Sequence, residues 1–159
     1  MHIRKIGYRY FEGIYKLVQE IYDENPFATW FYERPSREVL EAIVATKIIK
    51  VKEKEAIDYL AINRGEIVGE CEIIKDQLNR GWLGILVKKD YRAKKVGSKL
   101  FEKCIKESKR LGIKELLAEV YYDNSAIDFF KKKGFEIKGI EETQKGKIVL
   151  LAFNLGQNN

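Results

Sequence analysis

Between Tyr10 and Tyr22 the apolar positions Tyr10, Phe11, Ile14, Tyr15, Leu17, Val18, Ile21 and Tyr22 recur at helical intervals, which places them on one face of a helix. Asn25-Pro26 ends it. The same spacing returns at Val39, Leu40, Ile43, Val44, Ile48 and Val51, behind Ser36, a residue suited to cap a first turn. Extended segments are predicted at 2–6, 56–62, 66–75 and 81–88, with Asn63-Arg64-Gly65 forming a tight hairpin between the second and third. A third helix covers about 95–111, its apolar stripe made of Val96, Leu100, Phe101, Cys104, Ile105 and Leu111, with Gly112 as its stop. A strand follows at 114–120. Ser125-Ala-Ile-Asp128 then opens a short helix with Lys131, Lys132 and Lys133 in its last turn and Gly134 after it. Phe135–Thr143 and Lys147–Asn154 read as a closing hairpin turning near Lys145-Gly146.

Strand, helix and strand over 81–120 require a parallel pair joined by a right-handed crossover, while the hairpins on either side are antiparallel. The predicted fold is therefore α/β: a mixed, mostly antiparallel sheet of about seven strands with a central parallel pair and about four helices. No internal repeat, low-complexity stretch or linker divides the chain, so residues 1–159 read as a single domain.

Composition narrows the chemistry. The chain is 45% hydrophobic and 34% charged, which is the balance of a globular protein. Its apolar runs are short of a membrane span, and its N-terminus lacks the apolar stretch of a signal peptide, so a cytoplasmic protein without membrane association is expected. His2 is the one histidine, which argues against histidine-based nucleophilic catalysis and a histidine metal site; no metal is expected. Cys71 and Cys104 fall in no C-x-x-C pairing and read as buried structural thiols. Neither a dinucleotide nor a P-loop glycine fingerprint occurs.

The formal charge of +6 is concentrated between residues 88 and 110, where ten Lys and Arg face Asp90, Glu102 and Glu107. Two readings stand side by side. Either the segment binds an anion, or Lys99, Lys103, Lys106 and Arg110 form the solvated face of an amphipathic helix. Leu86 to Leu100 joins a strand to a helix through a basic, Gly-containing turn, and unpaired N–H groups at a helix start, with the helix dipole behind them, form an anion site.

That stretch resembles the acetyl-CoA-binding motif of the GNAT superfamily of N-acetyltransferases, an R-x-x-G-x-G pattern in which Arg92 and Gly97 take the first and last places. Lys95 stands where the first Gly is usual, so its φ is expected to be negative. Downstream, Asn124-Ser-Ala126 and Phe129-Phe-Lys-Lys-Lys-Gly-Phe135 are similar to the superfamily's N-x-x-A and F-Y-x-K-x-G-F signature. The resemblance implies a splayed pair at strands 81–88 and 114–120, with acetyl-CoA as co-substrate. Its pantetheine would bond backbone near Leu86 and Val87, and its pyrophosphate would meet Arg92, Ala93, Lys94, Lys95, Val96, Gly97 and Ser98. Asn124 and the following helix, Phe130 included, would flank the pantetheine and thioester; Asn124 as a helix cap is the plainer alternative.

Transfer to an amine requires its proton to be removed, because an alkylamine is almost wholly charged at neutral pH. The superfamily often has a Glu on the strand before the phosphate turn, where this chain reads Trp82-Leu-Gly-Ile-Leu-Val87. Glu70 and Glu72, expected on one strand face with Ile67, Cys71 and Ile73 on the other, are the candidate bases, or are solvated strand carboxylates. Phe130 takes the place of a tyrosine that commonly protonates the leaving thiolate, which leaves Tyr121 or Tyr122 as candidate donors. Backbone N–H near Val87 is the candidate oxyanion donor.

Phe27, Trp30, Phe31 and Tyr32 either line an acceptor pocket or simply pack a loop. The expected function is transfer of acetyl from CoA to a primary amine, on a small molecule or a protein, in a ternary complex. A non-catalytic acyl-CoA binder and a basic nucleic-acid-binding module are the alternatives; the second lacks a recognised motif. Ile148 to Phe153 is read as an apolar edge strand that a second copy would cover in a homodimer.

Overall fold

The periodicities described above fold as α1 (Phe11–Glu24), α2 (Arg37–Lys52), α3 (Val96–Arg110) and α4 (Ala126–Lys132) around β1 (His2–Lys5), β2 (Ala56–Asn63), β3 (Glu66–Lys75), β4 (Arg80–Val87), β5 (Glu115–Tyr121), β6 (Glu136–Thr143) and β7 (Gly146–Asn154). The structure is a computed structural model and describes residues 1–156. The described strands form one sheet in the order β1-β2-β3-β4-β5-β7-β6, antiparallel except at β4–β5. None of its helices is long and apolar enough to cross a membrane.

Each face of the sheet carries its own core. Ile14, Leu17 and Ile21 of α1 and Leu40 and Val44 of α2 pack on Leu60 and Ile67. On the other face Val96, Leu100, Phe101 and Cys104 of α3 pack on Cys71, Ile73, Leu116 and Leu151, joined by Phe130 and Phe135. A fully buried leucine such as Leu100 contributes about 1.5–3 kcal/mol by leaving water. Cys71 and Cys104 are both buried and free. Ser36 caps α2 by accepting from Val39 N–H at 3.2 Å, and Arg64 and Gly65 supply the two positive φ values of the β2–β3 turn.

Four local expectations are corrected. Val39 is exposed, because it lies one residue, about 100°, off the Leu40–Val44–Ile48 stripe. Ile67 shares the α1 face rather than the face of Cys71 and Ile73: the β2–β3 register slips between Ala61 and Ile62, so Val68 is an extra residue that reverses the alternation. β7 is an inner strand, paired with β5 on one side and β6 on the other. Its buried Val149, Leu151 and Ala152 suit that place, and the exposed, charged β6 takes the edge. Finally, Ser125 makes no cap; Asn124 Oδ1 accepts from Ala126 N–H at 2.8 Å instead.

The β3–β4 turn sets the register of the strand that matters most. Asp76 accepts from Leu78 N–H at 2.9 Å, Arg80 N–H at 3.0 Å, Arg80 Nε at 2.8 Å and Trp82 Nε1 at 3.0 Å. Partial burial works against the carboxylate, but these donors, the Trp82 indole first, outweigh it and hold the Asp76 carboxyl well below its ordinary range. A group whose folded pKa is depressed stabilises the fold above its unfolded value, about 3.9, and loses that contribution as pH falls towards the folded value. Asp76→Asn is therefore expected to lower the urea midpoint at neutral pH, with the gap to wild type narrowing at about pH 2; a gap independent of pH would show that these bonds do not depend on the charge.

Candidate active site

β4 and β5 pair over three positions only, Arg80 with Glu115, Gly81 with Leu116 and Trp82 with Leu117. Gly81 makes that approach possible: a Cβ there would fall 2.6 Å from Ile73 Cγ2 and 2.9 Å from Leu116 Cδ2. Beyond Trp82 the strands part, since β4 stays on β3 through Val87 while β5 stays on β7 through Tyr121. The β5 side of Leu83 to Val87 is left without a strand partner, and an unpaired backbone edge invites an extended ligand.

A cleft of about 600 Å³ occupies the gap. Leu86, Val87, Arg92, Ala93, Lys95, Val96, Gly97, Ser98 and Asn124 all line it, so one place receives the strand end, the basic turn and the start of α4. Lys94 is outside this lining, its ammonium 5.7 Å from the Tyr91 ring centroid. Arg92 is already engaged. Its Nε donates to Val87 O at 3.0 Å, and its two terminal nitrogens pair with Glu24 at 2.5 and 2.7 Å. These Arg92 hydrogen bonds hold the Glu24 carboxyl below its ordinary pKa. The basic turn is thereby tied to the end of α1. Lys88 pairs with Glu66 and Glu20, and Lys103 and Arg110 pair with Glu107, so part of the basic charge between 88 and 110 is neutralised within the chain.

A second cavity, about 240 Å³, lies on the α1–α2 side and shares Ala28, Ile85, Leu86, Asn124 and Ala126 with the first. Its walls include Phe27, Trp30, Phe31 and Tyr121, and Glu70, Glu72 and Glu119 reach it alongside one cation, Lys47. Lys47 descends from α2 to sit 3.1 Å from Glu70, 2.8 Å from Glu72 and 3.8 Å from Asp58. Burial disfavours its ammonium, yet the three carboxylates prevail and raise its pKa. Burial and the adjoining Glu70 charge push the Asp58 carboxyl well above its ordinary range. Glu70 is disfavoured by burial as well, but the Lys47 ammonium holds it ionised and below its ordinary value. Asp58, Glu70 and Glu72 present oxygens close enough together to surround a cation, and the Lys47 ammonium fills that role.

Comparison with known proteins bears on this geometry. Residues 11–135 match the Acetyltransferase (GNAT) family. The chain belongs to that family. Among solved structures, a GNAT-family acetyltransferase from Streptococcus pneumoniae is 23% identical with a TM-score of 0.80, the alignment covering 98% of this chain and 99% of that one. The yncA protein from Salmonella typhimurium, solved with its cofactor acetyl-CoA, is 15% identical with a TM-score of 0.83, covering 99% and 95%. The PaiA N-acetyltransferase from Thermoplasma acidophilum, solved with coenzyme A, is 21% identical with a TM-score of 0.74, covering 96% and 98%. The seven-stranded mixed sheet with a splayed parallel pair is thus the GNAT fold.

Within this GNAT chain the other expected residues are dispersed. Glu70 and Glu72 do share a face, but both are ion-paired rather than solvated. Tyr121 is buried in the wall of the second cavity, with Trp30 at 5.0 Å and Phe27 at 5.3 Å between ring centroids. Tyr122 is exposed, beneath the Lys147 ammonium, and lines neither cavity. Phe130 is buried and reaches the second cavity rather than the first.

Sequence reasoning passed over Glu24, Lys47, Asp58 and Glu119. Three of them left a trace: Lys47 interrupts the apolar stripe of α2, Asp58 the apolar run 56–62, and Glu119 the run Leu116–Tyr121. Glu24 left none.

Lys95 reverses its expectation. It is the N-cap of α3 with φ +66° and ψ +13°, left-handed, and Ala93 is also left-handed at φ +59°. The turn needs that conformation to swing the chain from the cleft edge into α3, which is the physical reason a Gly suits the place. Lys95→Gly is accordingly expected to raise stability by about 0.5–1 kcal/mol, relief of left-handed strain exceeding the entropy a Gly adds to the unfolded chain. Urea denaturation checks this, and a loss of stability would mean that the Lys95 side chain contributes more than its backbone costs.

Proposed function

We propose that this protein is an acetyl-CoA-dependent N-acetyltransferase that carries the acetyl group from the CoA thioester to a primary amine by direct attack in a ternary complex. The observation that carries this reading is the junction of the two cavities: the cleft along unpaired β4 meets a carboxylate-lined pocket at Ile85, Leu86 and Asn124. Relatives of the same fold bind acetyl-CoA or CoA.

In this reading the free edge of β4 at Leu86 and Val87 receives the pantetheine arm as an added strand would. The first N–H groups of α3, with Ser98, meet the pyrophosphate. Arg92 both shapes the turn, through Val87 O, and offers its positive charge once Glu24 yields. Backbone N–H on the β4 edge near Val87 stabilises the oxygen on which negative charge develops.

The acceptor amine arrives protonated, and the pocket is built for a cation. Glu70 and Glu72, which outnumber the Lys47 ammonium, provide the negative potential that draws it in. Glu119 receives the proton. The residue is exposed and lines the pocket, and its carboxylate has no hydrogen bond or ion pair among the described residues. It shares the pocket wall with Gly84 and with Glu72, the residue paired with Gly84 on β3. With no side chain at Gly84 the Glu72 carboxylate lies against β4, where a Cβ would stand 3.4 Å from Glu72 Oε1. Tyr121 is the phenol in the pocket wall. Burial, and then Tyr32, raise its pKa, so it holds a proton to give to the departing thiolate.

Isothermal titration with acetyl-CoA, followed by an amine panel, tests the reading. Saturable binding by wild type, lost in Arg92→Ala/Gly97→Glu, is expected. Glu119→Gln should keep its acetyl-CoA affinity within about two-fold while kcat falls by about 100-fold to 10,000-fold, the usual worth of a general base. A folded wild-type protein that binds no acetyl-CoA would sink the enzyme reading; binding without transfer to any amine would leave a non-catalytic acyl-CoA binder. Full activity in Glu119→Gln would place the base elsewhere, with Glu72 next.

A further inference from the structure

The rings beside the second cavity already hold an ammonium, and it belongs to the chain itself. Lys145, in the turn between β6 and β7, places Nζ 5.4 Å from the ring centroid of Phe27, 5.2 Å from Tyr32 and 5.6 Å from Tyr121, and donates to Phe31 O at 2.8 Å. No carboxylate pairs with it among the described residues. A cation held by three ring faces and one carbonyl is bound by the quadrupoles of those rings, a mode selective for alkylammonium groups. Core packing does not account for the arrangement, because Tyr32 is 79% exposed and Phe27 43% exposed.

The cage is continuous with the acceptor pocket. Phe27 and Tyr121 line both, and Tyr121 lies two residues from Glu119 on the same face of β5, a separation of about 6–7 Å along a strand. The pocket thus borders carboxylates for one ammonium and an aromatic cage for another, the pattern that a short aliphatic diamine matches.

We propose that Phe27, Tyr32 and Tyr121 form a second ammonium subsite of the acceptor pocket, that Lys145 occupies it when no acceptor is bound, and that small diamines and polyamines displace Lys145 to use it. The proposal rests on the second cavity being the acceptor site. It makes Lys145 an internal competitor: an acceptor with one charge leaves the lysine in place, whereas one with a second ammonium at the right distance exchanges with it.

Tetramethylammonium, which cannot be acetylated, is the probe for the cage. Calorimetric titration is run on wild type and on Lys145→Ala, Lys145→Gln and Lys145→Arg, each checked by circular dichroism. Removing the charge should tighten tetramethylammonium binding about ten-fold, the arginine variant should resemble wild type, and adding the exposed-residue change Tyr32→Ala should abolish the gain. In transfer assays the ratio of kcat/KM for diaminobutane to that for butylamine should rise by a similar factor in Lys145→Ala and Lys145→Gln. Equal tetramethylammonium binding by wild type and the neutral variants, or a gain that survives Tyr32→Ala, overturns the proposal and makes Lys145 a clamp on the loop. Because the probe is not a substrate, the two failures separate: a responsive cage with no amine acetylated removes the transferase reading and leaves the cage, and the reverse pattern removes only the cage.

Discussion

Everything at this site depends on a hydrogen-bond ladder that stops. A parallel pair of strands in the middle of a sheet would ordinarily bond along its whole length, since buried backbone groups left unpaired are costly. Here each strand is committed to its outer neighbour, β4 to β3 through Val87 and β5 to β7 through Tyr121, and the two touch only where Gly81 lets them. The unpaired edge is tolerable because it faces a cleft open to solvent. In the proposed reading the same edge docks the co-substrate, so the feature that weakens the sheet is the one put to use.

The two faces of the sheet divide the work. On the α3 face the interior is apolar, and the basic turn leads into a helix anchored by Val96, Leu100 and Phe101. On the α1–α2 face the core is interrupted by Lys47 and three carboxylates, an expensive group to bury unless every charge is matched. Lys47 lies within ion-pair distance of Glu70, Glu72 and Asp58, whose carboxyl burial pushes well up. Glu70, Glu72 and Lys47 reach the pocket wall, and in the proposed reading this interior ion cluster becomes part of the surface that meets a cationic acceptor.

Arg92 joins the halves. Its bond to Val87 O shapes the turn, and its pair with Glu24 ties that turn to the end of α1, from which the chain runs directly into Pro26–Ala28 and the aromatic loop beside the acceptor pocket. Any anion that competes for Arg92 acts on the residue that pairs with the end of α1, so one side chain touches both the cleft and that helix. Left-handed Ala93 and Lys95 show the backbone strain that the turn accepts to keep this geometry.

Element types were legible along the chain because α1, α2 and α3 repeat apolar residues at helical spacing, and because Gly65, Gly112 and Gly134 stand where positive φ is needed. The basic turn before α3 was legible too, since a helix start is local in sequence. The choices that involve distant segments were not. Nothing local distinguishes an inner from an edge strand, so β7 was misplaced; only its simultaneous pairing with β5 and β6 decides. A bulge at Val68 turned Ile67 over, and alternation alone cannot announce a bulge. Glu119, Lys47 and Asp58 were visible as lone charges in apolar runs, yet the setting of Lys47 and Asp58 comes from Glu70 and Glu72 on β3, and that of Glu119 from the cavity where the strands part. The sequence by itself determined the helices, the turns and the basic entry to α3, because short-range sterics and periodicity govern them. The tertiary structure alone decided which carboxylates are paired and which is free, and that Lys145 enters an aromatic cage, because electrostatic partnership depends on distance in space rather than along the chain.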